Sequence, residues 1–139
     1  MVGTIRSNLI RDGGVDGYLD YYGLTDPNPG GSWAATSISS RLVIHPDFRG
    51  SPLAVRLACE SFRWGISHGI RADFCDCSPV HVPFFTGLGY VVQFVDFDHP
   101  EFGLAVVLRL DLYDRNRLIE TRSPFRRPLA AWLAGQFAA

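Results

Sequence analysis

The stretch Arg41-Leu-Val-Ile-His-Pro-Asp-Phe-Arg-Gly-Ser-Pro-Leu-Ala54 joins two patterns that cannot belong to one element. Ahead of it, Ala34 to Ile44 is rich in Thr, Ser, Ile and Val, and Ile38, Ser40, Leu42 and Ile44 fall on one face of a strand. His45-Pro46 ends that strand, because proline has no N–H to give to a ladder. Behind it, Pro52 to His68 predicts a helix: Ser51 caps it, Pro52 suits the first helical position, and Gly69 sits where a left-handed stop belongs. Arg56, Glu60, Arg63 and Ser67 recur at helical spacing, opposite Leu53, Ala54, Leu57, Ala58, Ser61, Phe62 and Gly65. A helix start offers unpaired N–H groups and the positive end of the helix dipole, so residues 50 to 54 suit an anion.

On the N-terminal side, Thr4 to Ile10 predicts a short strand running into the turn-rich Asp12-Gly13-Gly14. Tyr18 to Leu24 is an aromatic segment, and Asp26 to Ser32 is a loop. On the C-terminal side come a strand over Arg71 to Cys77, a short helix over Val80 to Leu88 closed by Gly89, and a hairpin. The hairpin pairs Tyr90–Phe97 with Leu104–Leu110 around a loop at Asp98 to Gly103. Tyr113 to Arg122 and Pro128 to Phe137 are helical, parted by Ser123-Pro124. The order β-β-α-β-α-β-β-α predicts one α/β domain, α+β by some schemes, around a mixed sheet.

A chain of 139 residues, 47% hydrophobic, can bury a core as one domain. Its net charge of −1, with basic residues spread along the chain, lacks the footprint of a nucleic-acid binder. All 13 basic residues are arginine, which removes any lysine Schiff-base or lysine-base mechanism. Three cysteines, Cys59, Cys75 and Cys77, form an odd set that suits a reducing compartment, and no apolar run approaches a membrane span. A cytoplasmic location follows. His68, Cys75, Cys77 and His81 lie close in sequence, but their spacing matches no common zinc module, so no metal is expected.

Two stretches resemble the GNAT acyltransferase superfamily. Arg49-Gly-Ser-Pro-Leu-Ala54 is similar to its pyrophosphate loop, Gln/Arg-x-x-Gly-x-Gly/Ala, with Pro52 in place of the middle glycine. Ser78-Pro-Val-His-Val-Pro-Phe-Phe-Thr-Gly-Leu-Gly-Tyr90 is similar to its Asn-x-x-Ala-x-x-Phe-Tyr-x-x-x-Gly-Phe helix, with Phe85 where tyrosine is usual. Ser40-Arg41, Phe48-Arg-Gly-Ser-Pro52, Asp76-Cys77-Ser78-Pro79 and Ser123-Pro-Phe125 most resemble N-acyl amino acid synthases, relatives of acyl-homoserine lactone synthases. The resemblance implies a mostly antiparallel sheet flanked by helices. Family members open with a strand and one or two helices ahead of Thr4 to Ile10, and residues 1–139 are expected to form a single domain without them.

The resemblance further implies that an acyl donor, acyl-CoA or the acyl-phosphopantetheine of an acyl carrier protein, lies between the strands at Ile38–Ile44 and Arg71–Cys77. Val43, Ile44 and His45 would line its acyl group, and Arg49, Gly50, Ser51, Leu53 and Ala54 its phosphate. Pro52 removes one donor from that cradle, which favours the single phosphate of a carrier protein, landing on Arg49, Arg56 and Arg63. Transfer to a small amine such as an amino acid needs a base and a group to protonate the thiolate. Asp76 and His81 are candidates for the first, with Asp76 equally suited to capping the helix near Pro79; Ser78 and Cys77 are candidates for the second. Ser40 and Arg41 are candidate substrate-binding residues, Arg41 through a structural ion pair or the acceptor's carboxylate. Tyr18, Tyr21, Tyr22 and Trp33 suit packing more than a pocket. Pro52 and Phe85 also fit a non-catalytic binding module, and an open sheet edge near the N-terminus fits cover by a second copy, a homodimer.

Overall fold

Among the described residues, five strands, β1 (Gly3–Leu9), β2 (Thr36–Ile44), β3 (Ala72–Cys77), β4 (Val91–His99) and β5 (Gly103–Asp111), form one sheet in the order β1-β2-β3-β5-β4. The structure is a computed structural model and describes residues 2–10, 35–99 and 103–137. The turn at Asp12–Gly14, the segment Tyr18–Leu24, the loop Asp26–Ser32 and Trp33 lie outside the described residues. Only β2 and β3 run parallel; the other neighbours are antiparallel, so the sheet is mixed and mostly antiparallel.

Four α-helices accompany the strands among the described residues: α1 (Leu53–Ser67), α2 (Val82–Leu88), α3 (Arg115–Glu120) and α4 (Arg126–Phe137). The polar stripe of α1 is exposed, while Ala58, Phe62, Gly65 and Ile66 bury against Cys75, Cys77, Val106, Leu108 and Leu110 of the sheet. Burying Phe62 and Ile66 stabilises by roughly 1.5–3 kcal/mol each. Phe125, ahead of α4, stacks on Phe62 at 4.6 Å and closes that layer. Buried Ser123 sets the α3–α4 break: its hydroxyl donates to Leu88 O and accepts from Phe125 N–H.

The helix α1 starts one residue later than its pattern predicts. Pro52 is the cap (φ −68°) without a side-chain bond, and Ser51 Oγ accepts from Leu53 N–H at 3.3 Å. At the other end Gly69 has φ +79°, the left-handed stop. Gly89 ends α2 at φ +113°, and a Cβ there would meet Leu118 Cδ2 at 2.7 Å.

Two expectations are corrected. On β2, the strict alternation of Ile38, Ser40, Leu42 and Ile44 breaks, because Thr4 and Arg6 of β1 oppose Val43 and Ser40, so that two residues of β2, 41 and 42, stand against Ile5 alone. The extra residue is a β-bulge, which bends the strand and shifts its phase. Leu42 accordingly lines the same cavity as Ser37 and Ser39. On β4, the alternating apolar pattern does not give one buried face: Val91, Val92, Phe94, Val95 and Phe97 are all exposed, Phe97 at 75%. The strand is a sheet edge, paired only to β5 among the described strands, and it runs on through Asp98 and His99, which the sequence places in a loop.

Candidate functional site

The parallel ladder between β2 and β3 is short. Its pairs are Thr36↔Ala72, Ser37↔Asp73 and Ile38↔Phe74. Both strands continue, β2 to Ile44 beside β1 and β3 to Cys77 beside β5, but no longer beside each other. The bulge on β2 lies just past the last pair, and the bend it imposes opens a splay between the strand ends. Strand groups that leave a ladder without a new partner are free for a ligand's backbone-like amides.

The tips of the splay carry most of the predicted donor-binding residues. Val43 is 53% exposed, and His45 is exposed at the start of a 3-10 turn, Pro46–Phe48, where its Nδ1 accepts from Asp47 N–H at 3.2 Å. Arg49 is tied back to the strand end, its Nε donating to Ile44 O at 3.2 Å. A guanidinium held by Nε keeps its outer N–H groups for an anion. Gly50 has φ +82° and nothing within 4 Å of where a Cβ would stand, so the chain at this point borders open space. Leu53, Ala54 and Val55 precede the first intrahelical bond, Arg56 N–H to Pro52 O; Leu53 N–H is taken by Ser51 Oγ, and those of Ala54 and Val55 face out of the helix end. Arg56 is exposed, and Arg63 is paired with Glu60. Ser40 is the Cα partner of Arg6, and Arg41 follows it on β2.

On β3, alternation sorts the predicted residues by face. Cys75 and Cys77 pack into the core on the α1 side; burial raises both thiols, Cys77 to about 11 with the Asp76 charge adding to it. Asp76 therefore faces the other side. It does not cap the Pro79–His81 turn, whose cap Ser78 makes no side-chain bond. Asp76 Oδ2 instead meets His99 Nε2 at 3.1 Å, both side chains being about nine-tenths buried. A carboxylate on one ring nitrogen fixes the imidazole's orientation and tautomer. Ser78 is half-buried at the strand end, while His81 is exposed on its turn. Phe85 lies edge-on to Phe84 and Tyr90 at 5.2 and 5.6 Å, an apolar packing position without a hydroxyl to offer. His68 stacks on Trp64 at the surface, and no group of three or more metal-capable side chains occurs among the described residues.

Two functional candidates escape the sequence. His99 is hidden in what reads as a hairpin loop. Asp73 sits at the root of the splay, 5% exposed, its Oδ1 accepting from Ser37 (2.6 Å) and Ser39 (2.9 Å) and its Oδ2 from Tyr90 Oη (2.5 Å). Desolvation raises its pKa to about 6, against the opposing pull of those hydroxyls. The parity of Asp73 with Cys75 and Cys77 was the available signal, since it puts the carboxyl under the apolar stripe of α1.

Comparison with protein families and with curated proteins finds no match. Solved structures do match in fold. A CoA-dependent acyl-homoserine lactone synthase, MesI, superposes with a TM-score of 0.62 at 21% identity, covering 87% of this chain and 61% of its own. Another, BjaI, solved with SAM and isopentyl-CoA, gives 0.62 at 16% identity over 88% of this chain and 60% of its own. FeeM, an N-acyl amino acid synthase from uncultured soil microbes, gives 0.59 at 13% identity over 91% and 67%. The chain spans about three fifths of the length of the two lactone synthases. Its fold is GNAT-like.

Proposed function

We propose that this chain is an acyltransferase that moves an acyl group from acyl-CoA or an acyl carrier protein to the amine of a small acceptor such as an amino acid. The observation that carries this is the early end of the β2–β3 ladder beside a helix start that carries Arg49 and Gly50. A pantetheine arm is a chain of amides, so strand groups released from the ladder match it, and the helix end with Arg49 matches its phosphate. The likeness to CoA-dependent synthases supports the same donor, while Pro52 leaves the single phosphate of a carrier protein as the other source. Three free thiols fit a cytoplasmic setting, and no helix among the described residues is long and apolar enough to cross a membrane.

In this scheme the acceptor nitrogen attacks the thioester carbonyl in a ternary complex, its C–N bond forming as the C–S bond breaks. The Asp76–His99 pair takes the ammonium proton, and Ser78 relays the nitrogen's second proton, lost as the amide forms, to the departing thiolate. Ser40 and Arg41, at the bulge, would meet the acceptor in this scheme, and His81 is a second base candidate outside the pair. A thermal-shift titration with acetyl-CoA, long-chain acyl-CoA and acyl carrier protein, followed by thioester consumption with amino acids, tests it. Stabilisation by a donor that Arg49→Ala abolishes supports the scheme, and no shift at saturation ends it.

The exposed apolar edge of β4 favours one further possibility, that a second copy covers it. This edge is not the N-terminal one the sequence suggests. A mass measurement in solution distinguishes monomer from dimer, and dimer formation is compatible with acyl transfer.

A further inference from the structure

The end of β2 and the start of α1 are joined by the 3-10 turn Pro46–Phe48, none of whose residues is buried. Phe48 is 42% exposed, its ring standing edge-on to that of His45 at 6.1 Å. Arg49, the next residue, folds back over the same strand end through its bond from Nε to Ile44 O. The Phe48 ring and the guanidinium therefore both lie beside the Ile44–His45 peptide.

This spot lies between the phosphate site and the reacting groups. A Cβ on Gly3 would stand 3.0 Å from both Ile44 Cδ1 and Leu57 Cδ1 of α1, so Ile44 turns to the α1 side. Leu42 does the same, lining a cavity with Ala58 and Ser61 of α1. Alternation sends Val43, between them, to the opposite face, the one on which Asp76 meets His99. A donor held by its phosphate at Arg49 reaches that face past Phe48, His45 and Val43.

The chemistry along this path follows the donor's own order. Next to its phosphate, the pantetheine arm carries a quaternary carbon with two methyl groups, then a carbon with a hydroxyl, and only then its amides. The methyl groups form no hydrogen bonds and suit an exposed apolar ring, which gains by being covered. The hydroxyl suits His45, whose Nδ1 accepts from Asp47 N–H at 3.2 Å. The neutral ring then carries its proton on Nε2, which has no partner among the described residues and can donate. Asp47, exposed on the same turn, disfavours a phosphate there and leaves it to Arg49.

We propose that Phe48 and His45 hold the pantoyl group of the donor, Phe48 covering its two methyl groups and His45 donating to its hydroxyl. The proposal rests on the acyl-transfer scheme above. It moves His45 from the acyl group, where the sequence resemblance sets it, to the phosphate end of the arm. CoA and the holo form of acyl carrier protein both carry this group.

Calorimetric titration of the full chain with CoA, 4′-phosphopantetheine, and the holo and apo forms of acyl carrier protein tests this. Phe48→Ala should weaken CoA and phosphopantetheine alike, by about fivefold, through the lost cover of two methyl groups. Phe48→Leu, which stays apolar, should recover most of that loss. His45→Ala should cost both ligands about threefold. In an Arg49→Ala background Phe48→Ala should still cost about fivefold, because the ring and the guanidinium touch different parts of the ligand. Whichever of CoA and the holo carrier protein binds tighter is the donor. A loss with CoA but not with phosphopantetheine would assign the ring to the base, and a loss with the apo carrier protein would assign it to a protein contact. A loss that vanishes in the Arg49→Ala background would make Phe48 a prop for the guanidinium. Each of these overturns the proposal, as does unchanged affinity in Phe48→Ala or His45→Ala, and each leaves the donor site standing. Failure of CoA, phosphopantetheine and the holo carrier protein all to bind overturns the acyl-transfer scheme and the proposal with it.

Discussion

At its root the β2–β3 pair is closed by a buried carboxylate gathering three hydroxyls from β2 and Tyr90, whereas at its tips the same strands part and end in exposed Val43, His45 and Arg49. The root contributes to holding the sheet together and the tips are available to a ligand. One strand pair thus separates stability from binding along its length: changes at the root should register in unfolding, and changes at the tips in ligand affinity.

The largest expected break is Gly89→Ala, just before Tyr90. A methyl at φ +113° is strained and meets Leu118, so urea unfolding should show a loss of about 3–4 kcal/mol. Next comes pH. Asp73 has a folded pKa raised to about 6 from 3.8, so the folded state holds its proton more tightly than the unfolded chain. Its contribution is therefore fully present below pH 4 and is lost as pH rises through about 6, a fall on the order of 3 kcal/mol. Denaturation of wild type and Asp73→Asn at pH 4 and pH 7 isolates it; a difference between the two proteins that does not change with pH contradicts the buried, ionising carboxyl. Tyr90→Phe removes one donor from that carboxylate and should cost about 2 kcal/mol in the same assay, without weakening donor binding. The smallest effect on stability belongs to the tips. Arg49→Ala should change unfolding by less than about 0.5 kcal/mol yet raise the donor's Kd about tenfold in calorimetry. If Arg49→Ala unfolds the protein, or Tyr90→Phe weakens donor binding as much as Arg49→Ala does, the division between root and tips is lost.

The elements were legible wherever local chemistry decides them. Gly69 and Gly89 stop their helices as composition demands, and the α1 stripe is buried on the predicted side. What joins residues far apart in sequence was not. Asp73 and Asp76 look alike in Ala-Asp-Phe-Cys-Asp-Cys, and only strand parity separates the core carboxyl from the one facing His99. His99 itself follows two aspartates and precedes proline, a composition that signals a turn, yet pairing with β5 keeps it in the strand. The β4 edge defeated its alternating pattern because burial there depends on what lies beside the strand, and among the described strands β5 alone does.

The bulge on β2 has a consequence for how relatives of this chain should be aligned. A cleft here depends on one strand being a single residue longer than its neighbour requires, whatever that residue is. In an alignment such a difference would appear as a one-position gap in an unremarkable stretch of serines and aliphatics, easily smoothed away. Chains that lack the extra position could keep every matching side chain and still have a closed sheet where this one has an opening, so counting residues between Ile38 and His45 would separate them better than percentage identity.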